Sequence, residues 1–130
     1  MRITCISADA SGGSYFSERE VSAVTVRLFE AMPPFRLTRF APPTEVKLFA
    51  IPAELREADW HTAPVRQLAL ALDGVVEYET TDGVRRRFGP GVPVLVEDTT
   101  GRGHTTRFSD GEQGFLFIPV SDGWPGGDPG

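Results

Sequence analysis

The chain contains two histidines, His61 and His104. A neutral imidazole is the commonest ligand for zinc, iron, copper and nickel, and it can exchange a proton near neutral pH. His61 lies in Asp59-Trp60-His61-Thr62-Ala63-Pro64-Val65-Arg66-Gln67, which opens into an apolar run ending at Gly74. His104 follows a second unusual segment, Glu97-Asp98-Thr99-Thr100-Gly101-Arg102-Gly103. A metal site assembled from two strands needs a donor from each, and these two segments offer one apiece. The competing reading is a surface histidine and a hydrogen-bonded core histidine, with no shared chemistry.

Around this pair stand three further candidates for catalysis: Glu97, Asp98 and Arg66. Glu97 and Asp98 could act as a general base or an extra ligand on the loop that delivers His104. The plainer expectation for Asp98 is that it caps its own turn through the Thr100 or Gly101 amides. Arg66 falls on the face opposite Gln67 in an ideal strand, which makes it an ion-pair or interface residue. A bulge after Pro64 would instead turn it inward to hold a substrate carboxylate. Trp60 could stack on a planar substrate, although packing over the mouth of the fold is its ordinary use.

The elements that must position these groups read as strands. Candidate strands run over Arg2 to Ile6, Val21 to Phe29, Phe35 to Phe40, Glu45 to Ile51, Arg66 to Leu72 and Val75 to Thr80. Others run over Val84 to Phe88, Val92 to Val96, Thr105 to Phe108 and Gly114 to Val120. Thr81-Asp82-Gly83 marks a tight hairpin. Ser7 to Ser17 reads as a Gly/Ser/Ala-rich loop, and Pro52 to Asp59 holds at most a short helical turn. In the Arg66 to Leu72 strand, Gln67, Ala69 and Ala71 share one face and Leu68, Leu70 and Leu72 the other. Small side chains beside an amide favour a pocket over a solid core. The Arg85-Arg86-Arg87 triplet faces Glu77 and Glu79 across the hairpin, so a cross-strand ion-pair ladder is a better reading than a phosphate patch.

Composition bounds the function. With 130 residues, 40% of them apolar, the chain suits one compact domain. A net charge of -5 gives no basic footprint, so no nucleic acid and no membrane surface is expected as a partner. The lone Cys5 cannot form an internal disulfide and lies in an apolar run, as a small buried hydrophobe would. No apolar segment has the length of a signal or a bilayer span, so a cytoplasmic protein is expected. The Gly123 to Gly130 segment is expected to fray.

Two segments resemble a family. Asp59-x-His61, then Gln67 and Gly74, is similar to the first cupin motif, written His-x-His, a later Glu and a Gly seven positions beyond it. Gly89-Pro90-Gly91 with Gly101-x-x-His104 resembles the second. The likeness covers Ala58 to Phe108 and implies an all-β fold, a double-stranded β-helix (jelly-roll) barrel. A single domain is then expected over residues 1–121, with its cupin core at about 45–120 and a flexible tail at 122–130. Carried over by position, Asp59, His61, Gln67 and His104 would bind one divalent metal (Fe, Zn, Mn or Ni). Asp59 replaces a histidine and Gln67 a glutamate, so the set departs from the family in charge and softness.

The resemblance implies an enzyme acting on a small organic molecule in the barrel, through isomerase, cyclase, lyase or dioxygenase chemistry. A metal-free acid/base enzyme and a non-catalytic small-molecule binder are the alternatives. Small cupins commonly bury a sheet face against a second copy, so a homodimer is also implied.

Overall fold

A computed structural model describes residues 1–27, 29–38, 45–122 and 124. Among these, twelve strands form and no helix. They are β1 (Arg2–Ala8), β2 (Ser14–Glu20), β3 (Val24–Val26), β4 (Phe35–Leu37), β5 (Lys47–Ile51) and β6 (Glu57–His61). They continue with β7 (Gln67–Ala71), β8 (Val76–Glu79), β9 (Arg85–Phe88), β10 (Val94–Val96), β11 (His104–Phe108) and β12 (Gln113–Pro119). The expected all-β class holds.

Two open sheets carry the fold. One has the order β2-β1-β10-β7-β12-β5 and the other β6-β11-β8-β9, while β3 and β4 pair separately. From β5 to β8 and again from β9 to β12, successive strands alternate between the sheets, with β8 and β9 forming a hairpin within the second. That hairpin is the one expected from Asp82-Gly83. Gly83 takes the left-handed φ of 83° the turn requires, and Thr80 N–H donates to the Val84 carbonyl at 3.1 Å. Glu77 faces Arg87 and Glu79 faces Arg85, giving the predicted ladder, and Arg86 reaches across to Glu18 at 3.0 Å.

The main core lies between the sheets. Ile6, Ala71, Val94, Val96 and Phe115 from the larger sheet meet Val76, Tyr78 and Phe88 from the smaller one. A second cluster occupies the other face of the larger sheet, where Ile3, Cys5, Leu68 and Leu95 pack with Val21 and Trp124. The period of two explains the division: Cys5 pairs with Leu95 and Ile6 with Val96, so neighbours along β1 serve opposite cores. Cys5 is fully buried, and desolvation pushes its thiol up.

Two segments depart from expectation. The predicted loop over Ser7 to Ser17 takes in the end of β1 and the first four residues of β2, an edge strand in register with the whole of β1. Its sequence, SYFSERE, is too polar to read as a strand because one side of it pairs only with solvent. The predicted helical turn over Pro52 to Asp59 is a simple turn, closed by Leu55 N–H on the Pro52 carbonyl at 3.0 Å, and β6 follows. The strand predicted over Val21 to Phe29 is confined to Val24–Val26. The parts of these predictions at Leu28, Arg39 and Phe40 lie outside the described residues, as does most of the tail. Trp124 is 8% exposed and belongs to the cluster of Leu68 and Leu95.

Candidate functional site

The Ala-bearing face of β7 points between the sheets as its pattern predicts. There Gln67 and Ala69 help to line a cavity of about 180 Å³ that also receives His61 and His104. Gln67 is 5% and His104 4% exposed, while His61 sits at the open end.

The two histidines meet because β6 and β11 pair. His104 lies opposite His61 and Thr106 opposite Ala58, so one residue of β11 is matched by two of β6. That bulge resets the alternation of β6. Ala58 and His61 both reach the cavity, although they are three residues apart. Asp59 and Trp60 are turned instead toward a separate polar groove of about 410 Å³, lined also by Glu57, Glu77 and Glu79. The imidazole centroids of His61 and His104 are 4.7 Å apart.

Each imidazole is held by its Nδ1. His104 Nδ1 lies 2.5 Å from Asp98 Oδ2, and Asp98 is fully buried. His61 Nδ1 lies 2.6 Å from the Asp59 carbonyl. Both partners accept, so each ring carries a proton on Nδ1, and a neutral ring so held keeps its lone pair on Nε2. Gln67 Oε1 is buried and receives no hydrogen bond. Three side chains of metal-ligating type thus line one cavity.

The catalytic candidates separate. Asp98 is not a self-capping loop residue, because its carboxylate goes to His104 rather than to the Thr100 or Gly101 amides. Its backbone is pinned as well, since Ala63 N–H donates to the Asp98 carbonyl at 3.1 Å. Glu97, one residue earlier, points away into an ion cluster. It accepts from Arg66 Nε at 2.9 Å, from Ser7 Oγ at 2.7 Å and from both terminal nitrogens of Arg19. Arg66 also donates to the Ser121 carbonyl at 2.7 Å. Arg66 is thus the ion-pair residue of the first expectation, and no bulge turns it into the cavity.

This cluster ties β1, β2 and the start of β7 to the loop that carries Asp98. Replacing Glu97 by alanine leaves two guanidinium groups side by side beneath the loop. The Glu97 and Arg66 side chains are 11% and 16% exposed, so a loss of about 3 kcal/mol is expected in urea unfolding. Arg19 is 40% exposed, and solvent screening keeps the cost from rising further.

Sequence reasoning missed Tyr78. It lines the cavity, its ring meets His104 edge-on at 5.5 Å, and it is 3% exposed. Burial first, and the nearby Asp98 charge second, push its phenol far above the usual range. It stays a neutral hydroxyl donor. Alternation along Val75 to Thr80 was the available signal, because Val76 and Tyr78 share the inward face.

A divalent cation is what the cupin likeness implies, and the donors fit it in part of the expected set. The His61, His104 and Gln67 side chains line the same cavity, while Asp59 does not join them. Among the described residues no three His, Cys, Asp or Glu side chains gather as a metal-holding group. The remaining donors are neutral, with the negative charge placed behind His104 on Asp98. A carboxylate in that position fixes a ligand's tautomer and raises its basicity.

Fold and site define an all-β, two-sheet protein with an internal cavity holding two histidines. No family model matches the chain, and no curated protein matches it. Among solved structures, the crystal structure of protein NMB1881 from Neisseria meningitidis is similar, at a TM-score of 0.46 and 15% identity. The match covers 65% of this chain and 84% of that one. No helix among the described residues is long and apolar enough to cross a membrane.

Proposed function

We propose that this chain is a small cupin-type enzyme that binds a small organic molecule in the cavity beside a divalent cation. The strand orders β5-β12-β7-β10 and β6-β11-β8-β9 support a jelly-roll, the double-stranded β-helix of cupins. The observation that carries the functional reading is that His61, His104 and Gln67 line one cavity while Nδ1 of each imidazole is engaged, on the Asp59 carbonyl and on Asp98. Two imidazoles and an amide gathered in one cavity are a donor set that suits a divalent cation.

Such a cation, when bound, polarises a carbonyl or stabilises an enolate oxygen. The chain's own residues do the rest. Asp98 holds His104 in register and offsets positive charge, the apolar walls exclude water, and Tyr78 offers a neutral hydroxyl to a substrate oxygen. Elemental analysis of protein purified without chelator, with His61→Ala and His104→Ala beside it, tests this reading. One metal per chain, absent from both variants, is expected. No metal under any loading condition would sink it.

A second reading rests on the Asp98–His104 pair alone. With no cation, His104 Nε2 acts as a general base oriented by Asp98, and His61 faces it across the cavity. A pH-rate profile unchanged by chelator favours that version.

The reading includes a homodimer. On the outer face of the larger sheet, Leu48, Leu116 and Leu70 lie in one cross-strand row, and Leu48 is 70% exposed on edge strand β5. Light scattering is expected to give twice the chain mass, and a monomer at high concentration contradicts it.

A further inference from the structure

We infer that the metal-free cavity takes one small ring bearing a single polar substituent that is not an anion. The inference deepens the proposed function and rests on the cavity being its ligand site. At about 180 Å³ the space is well below the roughly 300–1,000 Å³ that drug-sized ligands occupy. It is close to the engineered apolar cavity of about 150 Å³ that admits benzene. A single six-membered ring with one substituent matches that scale.

The walls specify the ring. Phe49, Phe108, Phe115, Phe117 and Tyr78 line the cavity, and Ala58, Ala63 and Ala69 give it depth. Phe115 and Phe117 lie nearly parallel at 18° with centroids 5.8 Å apart, while Phe108 meets Phe115 edge-on at 85°. Flat faces beside edges suit an aromatic guest, which prefers offset or edge-to-face contact.

The charge distribution excludes anions. Among the described lining residues there is no arginine or lysine. The arginines close to the lining residues in sequence are engaged elsewhere, Arg66 with Glu97, Arg107 with Glu57 and Arg102 over the Trp60 ring at 4.9 Å. The charge behind the site is that of the buried Asp98. A carboxylate entering here would lose its water and gain no cationic side chain in return. A hydroxyl substituent fares better, because it can donate to the lone pairs of His61, His104 or Gln67 and accept from Tyr78.

The test uses chelator-treated protein with phenol, benzyl alcohol and benzoate as probes, followed by NMR shifts of the cavity residues. Saturable binding of phenol or benzyl alcohol is expected, with benzoate weaker by about tenfold or more. Ala69→Leu and Ala63→Leu fill the space from separate segments, and each is expected to abolish the shifts while its melting transition shows it folded. Benzoate binding as well as phenol, no binding by any ring, or wild-type shifts in both filled variants would each overturn the inference. Because metal is absent, ring binding by a protein that never takes up metal supports this inference while defeating the metal reading. Metal uptake without ring binding does the reverse.

Discussion

Replacing Gly103 by alanine is expected to cost the protein more than about 3 kcal/mol and to pull the two histidines apart. Gly103 has a φ of 76°, and the left-handed region alone costs a residue with a side chain on the order of 1–3 kcal/mol. The space adds to that cost. A Cβ there would stand 1.9 Å from the His61 carbonyl oxygen and 2.7 Å from the Thr62 nitrogen. These are backbone atoms, so no rotamer change relieves the clash, and β6 itself must move. The strand that moves carries His61, and the residue after Gly103 is His104. Gly83 provides the control, with a φ of 83° and no atom within 4 Å of the point a Cβ would occupy. Gly83→Ala is expected to show the conformational cost alone. Urea unfolding of both variants checks the difference, and equal losses would show that the approach of Gly103 to His61 does not constrain the site.

Replacing Asp98 by alanine is expected to weaken divalent-metal affinity by about 10–100-fold and to lower folding stability by about 1–3 kcal/mol. The two effects have different causes. In the native chain Asp98 is fully buried, with Oδ2 on His104 Nδ1 and Oδ1 without a hydrogen bond. Half of its accepting capacity is therefore unused in a dry setting, which is costly for a carboxylate. Alanine relieves that cost and keeps the backbone bond from Ala63 N–H, but it strands the buried His104 Nδ1–H without its acceptor, and that loss is the larger. It also frees His104 Nδ1, so the ring is no longer held with Nε2 toward the cavity. Asp98→Asn keeps an acceptor without the charge, and its affinity is expected to lie between the two. Competition against a chromophoric chelator measures the affinities, with urea unfolding alongside. Unchanged affinity in Asp98→Ala would remove the carboxylate from the account of the site.

Much of this arrangement was legible in the residues because it follows from the period of two. Gln67 and Ala69 sit on the cavity face of β7, and Leu68 packs with Trp124 behind it, as alternation requires. The Asp82-Gly83 turn and the Glu-Arg ladder depend on local chemistry and were equally readable. The bulge of β6 was not. An extra residue leaves alternation intact on either side and changes only its phase, so Asp59 read as a partner of His61 although it faces the outer groove. β6 itself was hidden because its alternation, Ala58 and Trp60 against Glu57, Asp59 and His61, spans only five residues and half-buries its apolar side. The Asp98–His104 contact joins residues six apart through a loop, and only the positive φ values at Gly101 and Gly103 bring them together. A sequence shows the glycines without showing which way the loop they permit will turn.

The central claim is that two imidazoles with fixed Nδ1 protons present their Nε2 lone pairs to one cation. Long-range proton–nitrogen NMR of the two rings tests it directly. The account predicts that both His61 and His104 are neutral with the proton on Nδ1, and that one equivalent of zinc moves both Nε2 resonances together. Either ring protonated on Nε2 in the metal-free protein, or Nε2 resonances that ignore the metal, would contradict it.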